Sequence, residues 1–303
     1  MSETEQVVAI PRPPEAPSRR NAHAGWWMGA IILILLVTLY SPVLGRLVKQ
    51  WSNDPNWSHG FIVPFFAAFL IWRKRNELAR IPARPSWFGL AVICAGLLTL
   101  IVGVMGAELF LSRSSMIVIL GGLVIFFLGW GHFRALLFPW LFLFLMIPIP
   151  AIVFNQITFP LQLLVSQLAS SVLAAIGVPV LREGNVIRLA AMPLEVAEAC
   201  SGIRSLLSLF TLALIYGYFM ESETWKRALL CFIALPIAVA ANAARIVGTG
   251  LMVQYWDPEK ALGFFHEFSG WIIFLVSLAL LFGARSIINV AIRMSSRGQQ
   301  TAL

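Results

Sequence analysis

The chain has 303 residues, of which 59% are hydrophobic and 12% charged, with a formal net charge of +8. Soluble domains carry about 25% charged residues, so composition excludes a soluble globular fold, as does the mean hydropathy of +0.84. The positive charge does not indicate nucleic acid, because the basic residues fall in short clusters between apolar runs, the pattern of cytoplasmic loops in membrane proteins.

Residues 1–25, rich in Pro, Glu, Ser and Arg, read as a disordered cytoplasmic tail. Apolar runs follow at about 26–48, 60–72, 87–106, 115–130, 136–156, 203–219, 228–250 and 270–290. A span needs roughly 20 apolar residues, and a lipid-exposed backbone must satisfy its own hydrogen bonds, so each run is taken as helical. The first run follows Arg19 and Arg20, and Tyr40-Ser41-Pro42 is a poor cleavage site, so it reads as an uncleaved anchor. The sequence thus predicts an all-α polytopic membrane protein with about eight transmembrane helices in one domain, 26–292, followed by a cytoplasmic tail, 293–303.

Loop charge sets the orientation. Arg73, Lys74, Arg75, Arg80 and Arg84 place their loop in the cytoplasm; Arg12, Arg19 and Arg20 place the N-terminus there, and Arg293 and Arg297 the C-terminus. The loops with His132 and Arg134, and with Lys226 and Arg227, are cytoplasmic on the same grounds. The apolar segment 157–180 would break this parity if it spanned, so it is expected to be an interfacial or re-entrant helix on the outer face. After it, Gly184-Asn185 between two β-prone stretches predicts a small outer hairpin over 181–189.

Three cysteines are too few for a disulfide framework. Cys94 and Cys231 lie within apolar runs and read as packing residues. Cys200 stands at the outer mouth of a span, next to Ser201 as a helix N-cap. A helix N-terminus and a cation such as Arg204 both favour a thiolate. A small buried residue at a helix start remains the plainer reading of Cys200. Asn242 and Arg245 are three apart and share a helix face. Arg245 lies roughly 26 Å along its span, near the outer boundary. An intramembrane ionisable group marks a functional site by default, and an arginine there can hold an oxyanion or a carboxylate; snorkelling to headgroups would account for Arg245 but not for Asn242. His266, at the outer start of the last span, can move a proton near neutrality. His59, also on the outer side, either lines the site or serves structurally. His132 reads as incidental, and His23 falls in the tail. A thiol, a base and an oxyanion donor from separate spans are the parts of acyl transfer. No metal-ligand cluster and no Gly-rich phosphate loop is visible.

These segments resemble the exosortase/archaeosortase family. The resemblance runs through Asp54-Pro55-Asn56-Trp57-Ser58-His59-Gly60-Phe61-Ile62-Val63-Pro64, Glu198-Ala199-Cys200-Ser201-Gly202-Ile203-Arg204-Ser205, Asn242-Ala243-Ala244-Arg245-Ile246 and His266-Glu267-Phe268-Ser269-Gly270-Trp271. It implies a membrane-embedded cysteine protease/transpeptidase acting at the outer face of a bacterial inner membrane. The implied substrates are secreted proteins with a C-terminal tripartite tail: a Pro-Glu-Pro motif, a transmembrane helix and a basic end. It further implies transfer to an acceptor nucleophile, a link to exopolysaccharide production, and no cofactor. Carried over by motif, Cys200 is the nucleophile, Arg245 stabilises the oxyanion and His266 is the acid/base. Asn242, Ser201, Arg204, Glu198 and His59 are supporting candidates. A protein that binds or moves a lipid-linked sugar, using the arginines for phosphate, is the alternative; a protease that only hydrolyses the tail is another.

Overall fold

The computed structural model describes residues 19–196, 202–256 and 264–300. The chain divides into two compact units, 1–46 and 47–303. The division falls inside helix α1 (Arg19–Asn53), which carries Pro42 in its interior. In the first unit Ile31, Leu33, Ile34, Leu35 and Val37 are all exposed. So continuous an apolar surface is stable only against lipid.

In the second unit, the Asp54 carboxylate accepts the Asn56 amide at 3.0 Å and starts a 3₁₀ helix, Pro55–Phe61, with Pro55 at its first position. Then come α2 (Ile62–Arg73), the short α3 (Arg75–Leu78), α4 (Phe88–Met105), α5 (Leu109–Phe127), α6 (Trp130–Phe142) and a second 3₁₀ turn, Leu143–Met146. α7 (Ala151–Ala175) leads into strands β1 (Val180–Glu183), β2 (Val186–Leu189) and β3 (Pro193–Glu195). The chain closes with α8 (Gly202–Met220), α9 (Thr224–Tyr255) and α10 (Phe264–Gln300). Among the described residues six helices are long and apolar enough to cross a membrane: α1 from Gly29, α4, α5, α7, α9 and α10 over Phe268–Ile292. Trp130–Met146 and Arg204–Met220 are shorter apolar helical stretches. The architecture is an all-α polytopic membrane protein with one small sheet.

Two expected boundaries move. The run at 136–156 is cut in two, because Ile147-Pro148-Ile149-Pro150 breaks the helix; proline lacks an amide and pushes the residue before it out of the α region. The helix expected at 157–180 therefore starts at Ala151 and ends at Ala175. The run at 115–130 begins earlier, at Leu109, because the Glu108 side chain caps it by accepting the Leu111 amide at 2.8 Å.

α4 and α5 pack closely through a stripe of glycines. A Cβ at Gly96 would stand 2.6 Å from Ile119 Cγ1, one at Gly103 2.6 Å from the Ser112 amide, and one at Gly89 2.5 Å from Phe126 Cα. The seven-residue spacing keeps all three on one face, and small residues of this kind let membrane helices approach.

The hairpin is present and gains a strand: the sheet is antiparallel in the order β1-β2-β3, with Val180 opposite Leu189 and Ile187 opposite Leu194. The third strand was not anticipated, since Pro193-Leu194-Glu195 is too short to show alternation. The hairpin lies along α7. Ser166 Oγ donates to the Gly184 carbonyl at 2.9 Å and Asn185 Nδ2 to Gln162 Oε1 at 3.2 Å, while Leu173 shares a core with Ile187, Leu189, Leu194 and, from α9, Ile246 and Val253.

At the α8–α9 junction a buried carboxylate is clamped. Arg285 Nε donates to Glu221 Oε1 at 2.6 Å and Asn289 Nδ2 donates to the same oxygen at 3.2 Å, while Arg285 Nη2 donates to the Met220 carbonyl at 3.0 Å. Burial alone would raise the Glu221 pKa; the bonds from Arg285 and Asn289 outweigh it and hold the carboxyl below its ordinary value.

Candidate functional site

α8 and α9 pack together and are joined only by residues 221–223, so they run antiparallel. The start of α8 and the C-terminal part of α9 therefore share one end of the helix bundle. Arg285 meets Glu221 at the other end, which puts the start of α10 with them. The 3₁₀ helix Pro55–Phe61 packs against α8 and against the turn Leu143–Met146.

α9 turns a continuous face inward: Ala234, Ala238, Asn242, Arg245, Ile246, Thr249 and Val253 are buried, at spacings of one to four residues. Asn242 and Arg245, expected on one helix face, both lie on this buried face, 7% and 6% exposed. On insertion scales an arginine at mid-helix costs about 2.5–3.5 kcal/mol, so a buried one needs compensating contacts. Arg204, Asn242 and Arg245 each take part in at least one interaction. The guanidinium of Arg245 reaches α10: a Cβ at Gly270 would stand 3.0 Å from Nη2 and 3.3 Å from Cζ, so a larger residue there would displace it. Residue 266 lies four positions before Gly270, one turn away on the same helix.

Glu198, Cys200 and Ser201 lie outside the described residues, and so does the side chain of His266. Arg204 is half-buried in the first turn of α8. His59 is buried between Trp57, whose ring centroid is 5.9 Å away, and the turn at Leu145. Burial depresses its pKa below the ordinary value of 6.5; the carbonyls of Leu145 and Asn56 oppose that shift without reversing it. Nδ1 has no well-aligned hydrogen-bond partner among the described residues. His132 is elsewhere, its Nδ1 3.1 Å from the Leu128 carbonyl.

The sequence reading passed over Arg113. It is 2% exposed, flanked by buried Ser112, Ser114 and Ser115 in the first half of α5. Trp140 Nε1 donates to the nearby Ile117 carbonyl at 2.8 Å, and α6 leads from there into Leu143–Met146 beside His59. Arg113 is therefore at the same end as Arg245. The signal was present: an arginine four residues inside a helix capped by Glu108. An apolar run that begins at 115 leaves it in a loop.

Among the described residues no group of three or more His, Cys, Asp or Glu side chains could hold a metal ion. A family model described as transmembrane exosortase matches residues 51–283. No curated protein and no solved structure matches the chain.

Proposed function

Because this chain belongs to the transmembrane exosortase family, we propose that it is a thiol protease/transpeptidase that removes a C-terminal sorting tail from secreted proteins at the outer face of the inner membrane. The observation that carries the proposal is the buried Arg245 guanidinium against Gly270, one turn from residue 266 and at the end of the bundle where α8 begins.

In this mechanism the Cys200 thiolate attacks the scissile carbonyl carbon and forms a C–S bond. Arg245, with the backbone amides at the start of α8, stabilises the tetrahedral oxyanion. The C–N bond then breaks, His266 gives its proton to the leaving amine, and a thioester remains. An acceptor nucleophile attacks the thioester, loses its proton to His266, and releases the thiolate. Asn242, on the same face as Arg245, steadies the guanidinium; Ser201, Arg204, Glu198 and His59 support the thiol or the substrate. The substrates are secreted proteins with a Pro-Glu-Pro-type motif, a membrane helix and a basic end, and the acceptor is tied to exopolysaccharide assembly.

In this reading both termini lie in the cytoplasm and the site at the periplasmic face. In this orientation α7 lies on the outer surface rather than across the bilayer. The exposed Arg182, Glu183, Arg188 and Glu195 on a sheet running beside α7 support that placement, since charge at membrane depth is costly.

The test is co-expression with a tagged secreted protein bearing such a tail. Tail removal is expected with wild type and lost with Cys200→Ala, with both proteins present in the membrane. Arg245→Ala should lower the rate by about 10²–10³. Wild-type processing by Cys200→Ala would retire the thiol mechanism. No processing even by wild type would leave the reading of a protein that binds or moves a lipid-linked sugar, whose function would survive Cys200→Ala and be lost in Arg245→Ala.

A further inference from the structure

The sheet has two edges, and they differ. No strand pairs with the outer side of β1 or of β3 among the described residues; β1 runs along α7, while β3 leads into the segment that carries Cys200. The register decides what that edge presents. The Val196 amide donates to the Asn185 carbonyl at 3.0 Å and the Leu189 amide to the Met192 carbonyl at 3.2 Å. Antiparallel pairing alternates, so residues that bond across the sheet recur every second position. Leu194, between Met192 and Val196 in this series, bonds to β2. Glu195 does not: its amide and carbonyl point to the open edge, as does the Pro193 carbonyl. Both residues are exposed, while Leu194 is buried in the core beneath the sheet.

Val196 is four residues from Cys200. Four residues span at most about 13–14 Å, so whatever occupies this edge lies within reach of position 200. Resting on the thiol-protease proposal, we infer that the open edge of β3 is the substrate platform: the segment of the secreted protein beside the scissile bond binds in extended form as a fourth, antiparallel strand. Main-chain bonds to the Glu195 amide and carbonyl hold the backbone, and they leave its side chains on alternate faces. Recognition of this kind aligns a main chain without reading every residue of it. It also keeps the scissile carbonyl unwound, as a membrane helix would not.

Glu195→Pro removes the outward amide without removing a bond to β2, because proline is tolerated on an edge strand. Glu195→Ala keeps the amide. Tail removal is expected to be about tenfold slower in Glu195→Pro than in Glu195→Ala, the effect of one main-chain bond and the blocked approach of a strand. Equal rates in the two variants, with Cys200→Ala inactive, would overturn the platform while leaving the protease intact; wild-type processing by Cys200→Ala would instead remove the parent proposal.

The second arm does not depend on turnover. In the Cys200→Ala chain, Glu195→Cys is paired with substrates carrying single cysteines at successive positions before the tail helix, and disulfide formation is scored. Strand pairing brings the directly opposed position to a Cβ distance near 4.5–5.5 Å and the positions two residues away to about 7–8 Å, so cross-linking should peak at one position and recur more weakly with a period of two. Cross-links at every third or fourth position, or none in substrate that still co-purifies, mean that Pro193 and Glu195 only blunt the edge, and overturn the platform.

Discussion

His59 is the residue whose environment makes the sharpest solution prediction. Its pKa is depressed in the fold, so the folded protein holds the neutral imidazole below pH 6.5 while the unfolded chain takes up a proton. Stability is therefore full above pH 6.5 and is lost as pH falls from there toward the lower folded value. Thermal unfolding in detergent between pH 7.5 and 5 should show the midpoint falling, and His59→Gln should flatten that fall. An unchanged slope in the variant would mean that another group governs acid sensitivity. The candidate site is legible in the sequence where chemistry and position coincide: Asn242 and Arg245 stand out as polar residues in an apolar run, and both are buried on α9. Arg113 was missed because its meaning depends on where α5 starts, and that is set by the Glu108 side chain rather than by hydropathy.

The glycine stripe on α4 fixes how two spans meet. Gly103→Val would drive a side chain into the Ser112 backbone, which cannot move without shifting α5. A loss of about 1–3 kcal/mol is expected from overpacking, read as a lower unfolding midpoint in detergent. Gly283→Ala, where nothing lies within 4 Å, should leave the midpoint unchanged or raise it. A Gly103→Val protein as stable as wild type would show that the α4–α5 approach is softer than its distances imply. Apolar runs marked the helices well, but not their ends. The Pro148 and Pro150 break was readable from proline chemistry, yet hydropathy alone carried the run straight through it. β3 left no trace in the sequence because three residues carry no period, and it forms only because Leu194 reaches the core shared by α7 and α9.

Across the whole molecule, the path of α7 decides how the remaining spans are counted. Ile152 and Ile176 are exposed and lie at its two ends, about 36 Å apart along the axis. Single cysteines at these positions should both react with a membrane-impermeant maleimide added from outside. Labelling of only one would show that α7 crosses, and would reverse the sidedness of everything on one side of it. Loop charge and helix length part company here: the parity of the basic loops keeps α7 out of the bilayer, whereas α7 is long and apolar enough to span.

The Glu221 clamp has a consequence in time. Arg285 and Asn289 follow Glu221 by 64 and 68 residues. While the chain is being synthesised, α8 and α9 can enter the bilayer as a pair before either partner of this carboxylate exists. Until the last helix arrives the charge has only the field of Lys226; its hydrogen-bonded counter-ion, Arg285, comes with α10. Membrane assembly thus finishes with an electrostatic latch, and a nascent chain stopped before residue 285 holds this carboxylate without its Arg285 and Asn289 donors.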